Sequence, residues 1–128
     1  MSLFNNTYLW TGLGGALGAM ARIGMTSVLP AHLSNLPLRI LGVNVLGCFI
    51  AGVLIECMAF LWNPSPSMQH FLIQGLLGGF TTFSAFTIEF GVLFEKGAYA
   101  LAATYILLSV VLSISFFFIG LRVMRLFF

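Results

Sequence analysis

Charge is what this sequence has least of. Of its 128 residues, three are acidic and five are Lys or Arg, 6% in all. A soluble domain of this length needs far more polar surface to cover its core. The net charge of +2 is too small to suggest a nucleic-acid partner. Cysteine is scarce as well. Cys48 and Cys57 fall inside one apolar segment and read as buried, unpaired thiols that pack as small hydrophobes. The N-terminus has no basic stretch ahead of a compact apolar core and no clear small-residue cleavage site, so a removed signal peptide is not expected. There is no repeat, no low-complexity tract and no sign of a second domain. Hydrolytic and redox motifs are absent too, which argues against an enzyme.

What the sequence has in abundance is apolar residues. They make up 60% of the chain, and the mean hydropathy is +1.09. The chain therefore reads as an all-α integral membrane protein, a single domain over residues 1–128. Four apolar segments are each long enough to cross a bilayer, at roughly 20–25 residues per span. They cover about residues 8–29, 38–62, 68–94 and 98–121. Between them stand "PAHLSNLP", "NPSPS" and a short "EKG" turn, and "RVMR" closes the last segment. Prolines and an asparagine stop the second helix. An even number of spans puts both termini on one side. Lys and Arg counts in the loops should then set the orientation. Arg122 and Arg125 lie on one side, and Arg39 and Lys96 on the other, with Arg22 counted alongside them. Two against three is close to a tie. Either the small bias fixes one orientation, or the chain inserts both ways and an antiparallel homodimer becomes possible.

Polar groups inside the spans are the candidates for function. In the first span Gly14, Gly18 and Arg22 are four apart and share a face. The Gly-x-x-x-Gly pair marks a close helix contact. Arg22 is either an anchor for carbonyl groups at a helix end or a source of positive potential for an anion. In the second span Asn44 shares a face with Gly47, Cys48 and Ala51. Its amide is either interhelical glue or a donor to a passing ligand. Glu56, close to the end of the same segment, reads as interfacial rather than catalytic. In the fourth span Tyr105, Ser109 and Ser113 are spaced four and four. A lone serine often bonds its own backbone, but three hydroxyls in one stripe suggest a ligand-lined track.

The third span carries the least expected pattern, "GLLGGFTTFSAFTIEF", from Gly75 to Phe90. Two adjacent glycines cost a helix about 1 kcal/mol each relative to alanine. The expectation is a helix broken at Gly78-Gly79, with freed carbonyls near Thr81. Non-helical backbone at membrane depth survives only where protein or an ion satisfies it, and freed carbonyls at such a break can hold a cation. Beyond the break Phe83, Phe86 and Phe90 follow one face, with Glu89 three residues after Phe86. The rings are either ordinary packing or a set of positive edges that solvate a small anion without trapping it. Thr82 and Ser84 add hydroxyls to this polar track.

"GLLGGFTTFSAF" closely resembles the signature of the small bacterial fluoride channels, the Fluc or CrcB family. "GGALGAMAR" and "NVLGCFIAG" resemble that family's first- and second-span motifs, in the right order and at the right separations. The resemblance covers essentially the whole chain. It implies four transmembrane helices with a broken third helix, in an antiparallel dual-topology homodimer of the cell (inner or plasma) membrane. Each dimer would hold two fluoride pores and one buried sodium ion. Gly78 and Thr81 resemble the positions whose backbone carbonyls hold the sodium. Phe83 and Phe86 resemble the aromatic box, and Asn44 the pore asparagine. Tyr105, Ser109 and Ser113 look like the hydroxyl track, Glu89 matches an acidic position beside it, and Arg22 resembles the first-span arginine. The implied activity is passive fluoride export. There are departures. Arg39 and Ile40 stand where many members have a Gly-Thr pair, and Phe80 is bulkier than the usual residue before Thr81. Two other readings stay in view. A small dual-topology proton-coupled multidrug exporter needs a carboxylate in the middle of the first span, where this chain has only Arg22. A non-transporting membrane scaffold leaves the hydroxyl stripe and the Gly-Gly pair unexplained.

Overall fold

In hydrocarbon a backbone must satisfy its own hydrogen bonds, and helices do so within one segment. A computed structural model describes residues 2–33 and 35–127, and almost all of them are helical. Helix α1 is Ser2–Val28 and α2 is Arg39–Phe60. The third stretch is built in pieces: a short α3, Pro66–Gln69, a π-helical segment, His70–Leu77, one further turn, α4, Gly78–Phe80, and then α5, Phe83–Glu95. Helix α6, Tyr99–Arg125, ends the fold. Among the described residues three stretches are long and apolar enough to cross a membrane: Arg39–Phe60, Pro66–Glu95 and Tyr99–Arg125. At 27 residues α1 equals α6 in number of residues. The chain is thus a multi-pass membrane protein. The observed helices overlap all four expected segments, with α1 beginning earlier and α6 ending later than the apolar pattern alone indicates.

The linker after α1 is more ordered than its polar composition suggests. His32–Leu33 (β1) and Leu36–Pro37 (β2) form a small antiparallel hairpin in which His32 faces Pro37 and Leu33 faces Leu36. Asn35 sits in the left-handed region at φ 69°, a conformation that asparagine tolerates better than most residues. At the same end of the molecule Arg39 Nε donates to the Leu29 carbonyl at 3.1 Å, and Gly97, at φ +80°, turns the chain from α5 into α6.

Glycine sets the helix packing. A Cβ at Gly14 would overlap the Phe71 carbonyl, and one at Gly18 the Leu76 carbonyl. From the opposite side, a Cβ at Gly75 would stand 2.8 Å from the Thr11 carbonyl oxygen, and one at Gly79 would overlap that of Gly15. The Gly-x-x-x-Gly face of α1 is therefore occupied inside the protomer, by the π-helical segment and α4. A second seat joins α2 to α6, where Gly52 meets the Phe117 carbonyl and Gly120 that of Phe49. Buried Glu56 forms an ion pair with Arg125, tying the ends of the same two helices together. Leu41, Leu93, Ala102 and Tyr105 form the buried cluster where α2, α5 and α6 meet.

One expectation is corrected here. The break in the third stretch does not lie at Gly78-Gly79, which are helical. It lies at Thr81 (φ −82°, ψ 155°) and Thr82 (φ −153°, ψ 120°), where the backbone is extended. Glycine lowers helix propensity, but tertiary context overrides propensity. At Gly79 the missing side chain lets α1 approach the backbone.

Candidate functional site

The break at Thr81-Thr82 is held by a single side chain from another helix. Asn44 of α2 accepts the Thr82 amide on Oδ1 at 2.8 Å and donates from Nδ2 to the Thr82 carbonyl at 3.0 Å. An amide can serve both functions at once because it carries a donor and an acceptor side by side. Thr82 also caps the next helix: its Oγ1 accepts from the Ala85 amide at 3.2 Å and lies 3.1 Å from Ser84 Oγ. In a continuous helix the Thr82 amide would return to the Gly78 carbonyl and the Ala85 amide to that of Thr81. Both amides are engaged elsewhere, so these two carbonyls lose their helical partners. They are the pair singled out in the sequence as cation ligands. Among the described residues no cluster of three His, Cys, Asp or Glu side chains is placed to hold a metal, so a cation here would depend on backbone oxygen.

Around the break lies a cavity of about 310 Å³. Asn44, Thr81, Thr82, Phe83, Phe86, Ser109 and Ser113 line it, with Cys48, Val110 and Ile114. Five of the six residues expected in the pore thus meet in one space. The Ser109 hydroxyl is buried there, at 7% exposure, and makes no hydrogen bond among the described residues. An unmade hydrogen bond on a buried hydroxyl is costly and calls for an explanation. The alternative, a bond from such a serine to its own backbone, is not seen at Ser109 among the described residues.

The sixth residue, Tyr105, stands behind this cavity. It is fully buried. Its ring stacks against Phe86, with centroids 5.3 Å apart and planes at 31°, and its hydroxyl donates to Glu89 Oε2 at 2.5 Å. Glu89 in turn lines a second cavity, of about 610 Å³. Phe86, Tyr105 and Glu89 are therefore one connected layer between the two spaces. Phe83 lies 5.3 Å from Phe86 between ring centroids, tilted by 54°, and is 78% exposed: the described residues leave most of its ring uncovered.

Other expected residues are placed differently. Ser84 binds Thr82 and does not line the pore cavity. Arg22 buries its Nε without a partner among the described residues, so an anchor between that nitrogen and helix-end carbonyls is not seen. Bulky Phe80 is buried in its own protomer and packs over Gly47. Cys48, read from the sequence as a packing thiol, lines the cavity as well. The signal for it was its place one turn after Asn44 on the same helical face.

Comparison with known proteins gives a concordant result. The family model described as "CrcB-like protein, Camphor Resistance (CrcB)" matches residues 9–121. "Fluoride-specific ion channel FluC" of Agrobacterium fabrum is 46% identical over 114 residues, covering 88% of this chain and 90% of the relative. The protein of the same name from Rhodospirillum centenum is 43% identical over 114 residues, with the same coverage. That of Rhodopseudomonas palustris is 42% identical over 120 residues, 93% of this chain and 97% of the relative.

Proposed function

The chain belongs to the CrcB family, and from that premise we propose that it is a fluoride-specific ion channel, not an enzyme, which lets fluoride leave the cell passively. In acid surroundings fluoride crosses membranes as neutral HF and is trapped inside as the ion. An open anion pore driven by an inside-negative potential returns it. The observation that carries this reading is the cavity at the helix break. There the unpartnered Ser109 hydroxyl and the Asn44 amide meet the rings of Phe83 and Phe86. Fluoride is small and strongly hydrated. A site that strips its water must return hydrogen bonds and positive ring edges, but not so many that the ion cannot leave. One Asn44 Nδ2 hydrogen is committed to Thr82, and the other is left for an anion. The Ser109 and Ser113 hydroxyls continue the donor set along α6, towards the Phe86–Tyr105–Glu89 layer.

The functional unit of this reading is an antiparallel, dual-topology homodimer in the inner or plasma membrane, with four spans per chain and two pores. The exposed ring of Phe83 supports it, since a box of aromatic edges around an ion needs groups on more than one side. A sodium ion fits the centre of such a dimer. The Gly78 and Thr81 carbonyls lack helical amides, and two chains bring four such oxygens. The sodium would be structural: it would hold the two breaks together and neutralise dipoles that otherwise repel. Arg22, with its Nε unpaired, acts as a source of positive potential. A carboxylate in the middle of α1, which proton-coupled drug export requires, is absent, and Arg22 is the charge on that stretch.

The test is fluoride efflux from liposomes whose only protein is this chain, followed with a fluoride electrode. Rapid loss of fluoride with retention of chloride is the expected result. Liposomes that hold their fluoride as tightly as empty ones would reject the proposal.

A further inference from the structure

We propose that the 610 Å³ cavity in front of Glu89 is an anion-collecting mouth of the conduction path, in which Lys96 offsets the Glu89 carboxylate and gathers fluoride. This inference rests on the channel reading above and assigns a function to residues outside the pore cavity.

The cavity lies between the β1–β2 hairpin and the junction of α5 with α6. His32 and Asn35 reach it from the hairpin, Glu89 from α5 and Lys96 from the turn. Three of these four side chains offer donors. Lysine brings an ammonium with three, asparagine an amide with two, and histidine a ring N–H. Glu89 is the only acidic side chain in the lining, and one of its oxygens already accepts the Tyr105 hydroxyl. A space with that balance suits a small inorganic anion better than a cation.

Its position relative to the pore gives the balance a purpose. The Phe86–Tyr105–Glu89 layer links the two cavities, because Phe86 lines one, Glu89 lines the other and Tyr105 touches both residues. On the proposed path an ion that passes Phe86 meets Glu89, the acidic side chain that lines the second cavity. Alone, that carboxylate would repel fluoride. A fixed cation in the same cavity cancels the repulsion and raises the local anion concentration, as charged clefts do for their substrates. Lys96 is exposed, one residue before the Gly97 turn, so its long side chain can sweep the mouth without blocking it.

The experiment is fluoride efflux from liposomes containing the wild type, Lys96→Arg, Lys96→Gln or Lys96→Glu. Each is measured in an impermeant salt at about 10 mM and at about 1 M, where the screening length falls from roughly 30 Å to 3 Å. At low salt the expected rates are wild type for Arg, a several-fold loss for Gln and a loss of about tenfold or more for Glu. At high salt all four should converge. Rates equal at both salts for all four proteins would overturn the proposal, as would a loss that persists undiminished at 1 M. The outcome stays distinct from that of the channel reading: a wild type that conducts while the variants are indifferent removes only the mouth, whereas a wild type that does not conduct removes the channel itself.

Discussion

Among the described residues the Ser109 hydroxyl has no hydrogen-bond partner. If the hydroxyl serves fluoride, Ser109→Ala should cost flux and nothing else. Removing an unsatisfied buried hydroxyl leaves stability unchanged or raises it by about 1 kcal/mol. The expected outcome is therefore a severalfold slower efflux with an unchanged or higher melting temperature in detergent; a destabilised protein would show that the hydroxyl has a structural partner. Asn44 differs, because its amide both holds the break and faces the cavity. Asn44→Asp places a negative charge against the Thr82 carbonyl and against the anion, and flux should vanish. An Asp variant that conducts normally with its carboxylate ionised would end the donor role. Phe83→Ile keeps bulk but removes the ring edge, so efflux should fall at least tenfold while size exclusion still shows a dimer. Wild-type efflux in that variant would return the ring to packing. The polar residues of the site were legible in the sequence because their types are costly in hydrocarbon, whereas the apolar rings of Phe83 and Phe86 stood out only through the family resemblance. For Cys48 the spacing from Asn44 was a weak signal, since a thiol fits a packed core and a cavity wall equally well.

At the scale of the element, the two glycines of the third stretch have different roles. A Cβ at Gly78 has only the Ile73 carbonyl oxygen within reach, at 3.7 Å, whereas one at Gly79 would overlap the backbone of α1. Alanine gains about 1 kcal/mol over glycine in a helix. Gly78→Ala should thus leave the protomer fold intact, while Gly79→Ala must push α1 away and lose several kcal/mol, as overpacked sites do. Thermal denaturation of both variants in the same detergent checks the order; equal melting temperatures would contradict the packing described here. The apolar pattern made four helical stretches legible, with ends misplaced by a few residues. The pattern could not locate the break. Glycine reads as a helix breaker in isolation, and only the approach of α1 shows that Gly79 is a packing residue. What opens the backbone is Asn44, 38 residues earlier, and no local pattern carries a contact that distant. The π-helical segment before the break is illegible for a similar reason: its sequence, "HFLIQGLL", is as apolar as that of an α-helix.

At the scale of the whole molecule, one protomer leaves three things unfinished. Phe83 is left largely uncovered, the Gly78 and Thr81 carbonyls lack helical amides, and the charges at the two ends of the spans nearly balance. The antiparallel dimer proposed above would complete all three. A charge balance this close would let the chain insert both ways, since little Lys/Arg bias is left to fix one orientation. In that pairing the two Thr81-Thr82 breaks would meet at a common axis, with four carbonyl oxygens facing it. Clustered carbonyl dipoles repel one another, and a small monovalent cation relieves that repulsion, so sodium should be required for a stable, conducting dimer. Two measurements probe this. Single cysteines near the N-terminus, in a background lacking Cys48 and Cys57, should react with an impermeant reagent in about half the molecules of intact cells, because the two orientations are used equally when the charge bias is near zero. Labelling of all molecules or of none would leave only one orientation and dismantle the dimer. Purified protein moved into sodium-free buffer should lose efflux and recover it when sodium returns. If efflux ignores sodium while labelling still shows both orientations, the dimer stands. The freed carbonyls must then be satisfied by protein or water across the interface.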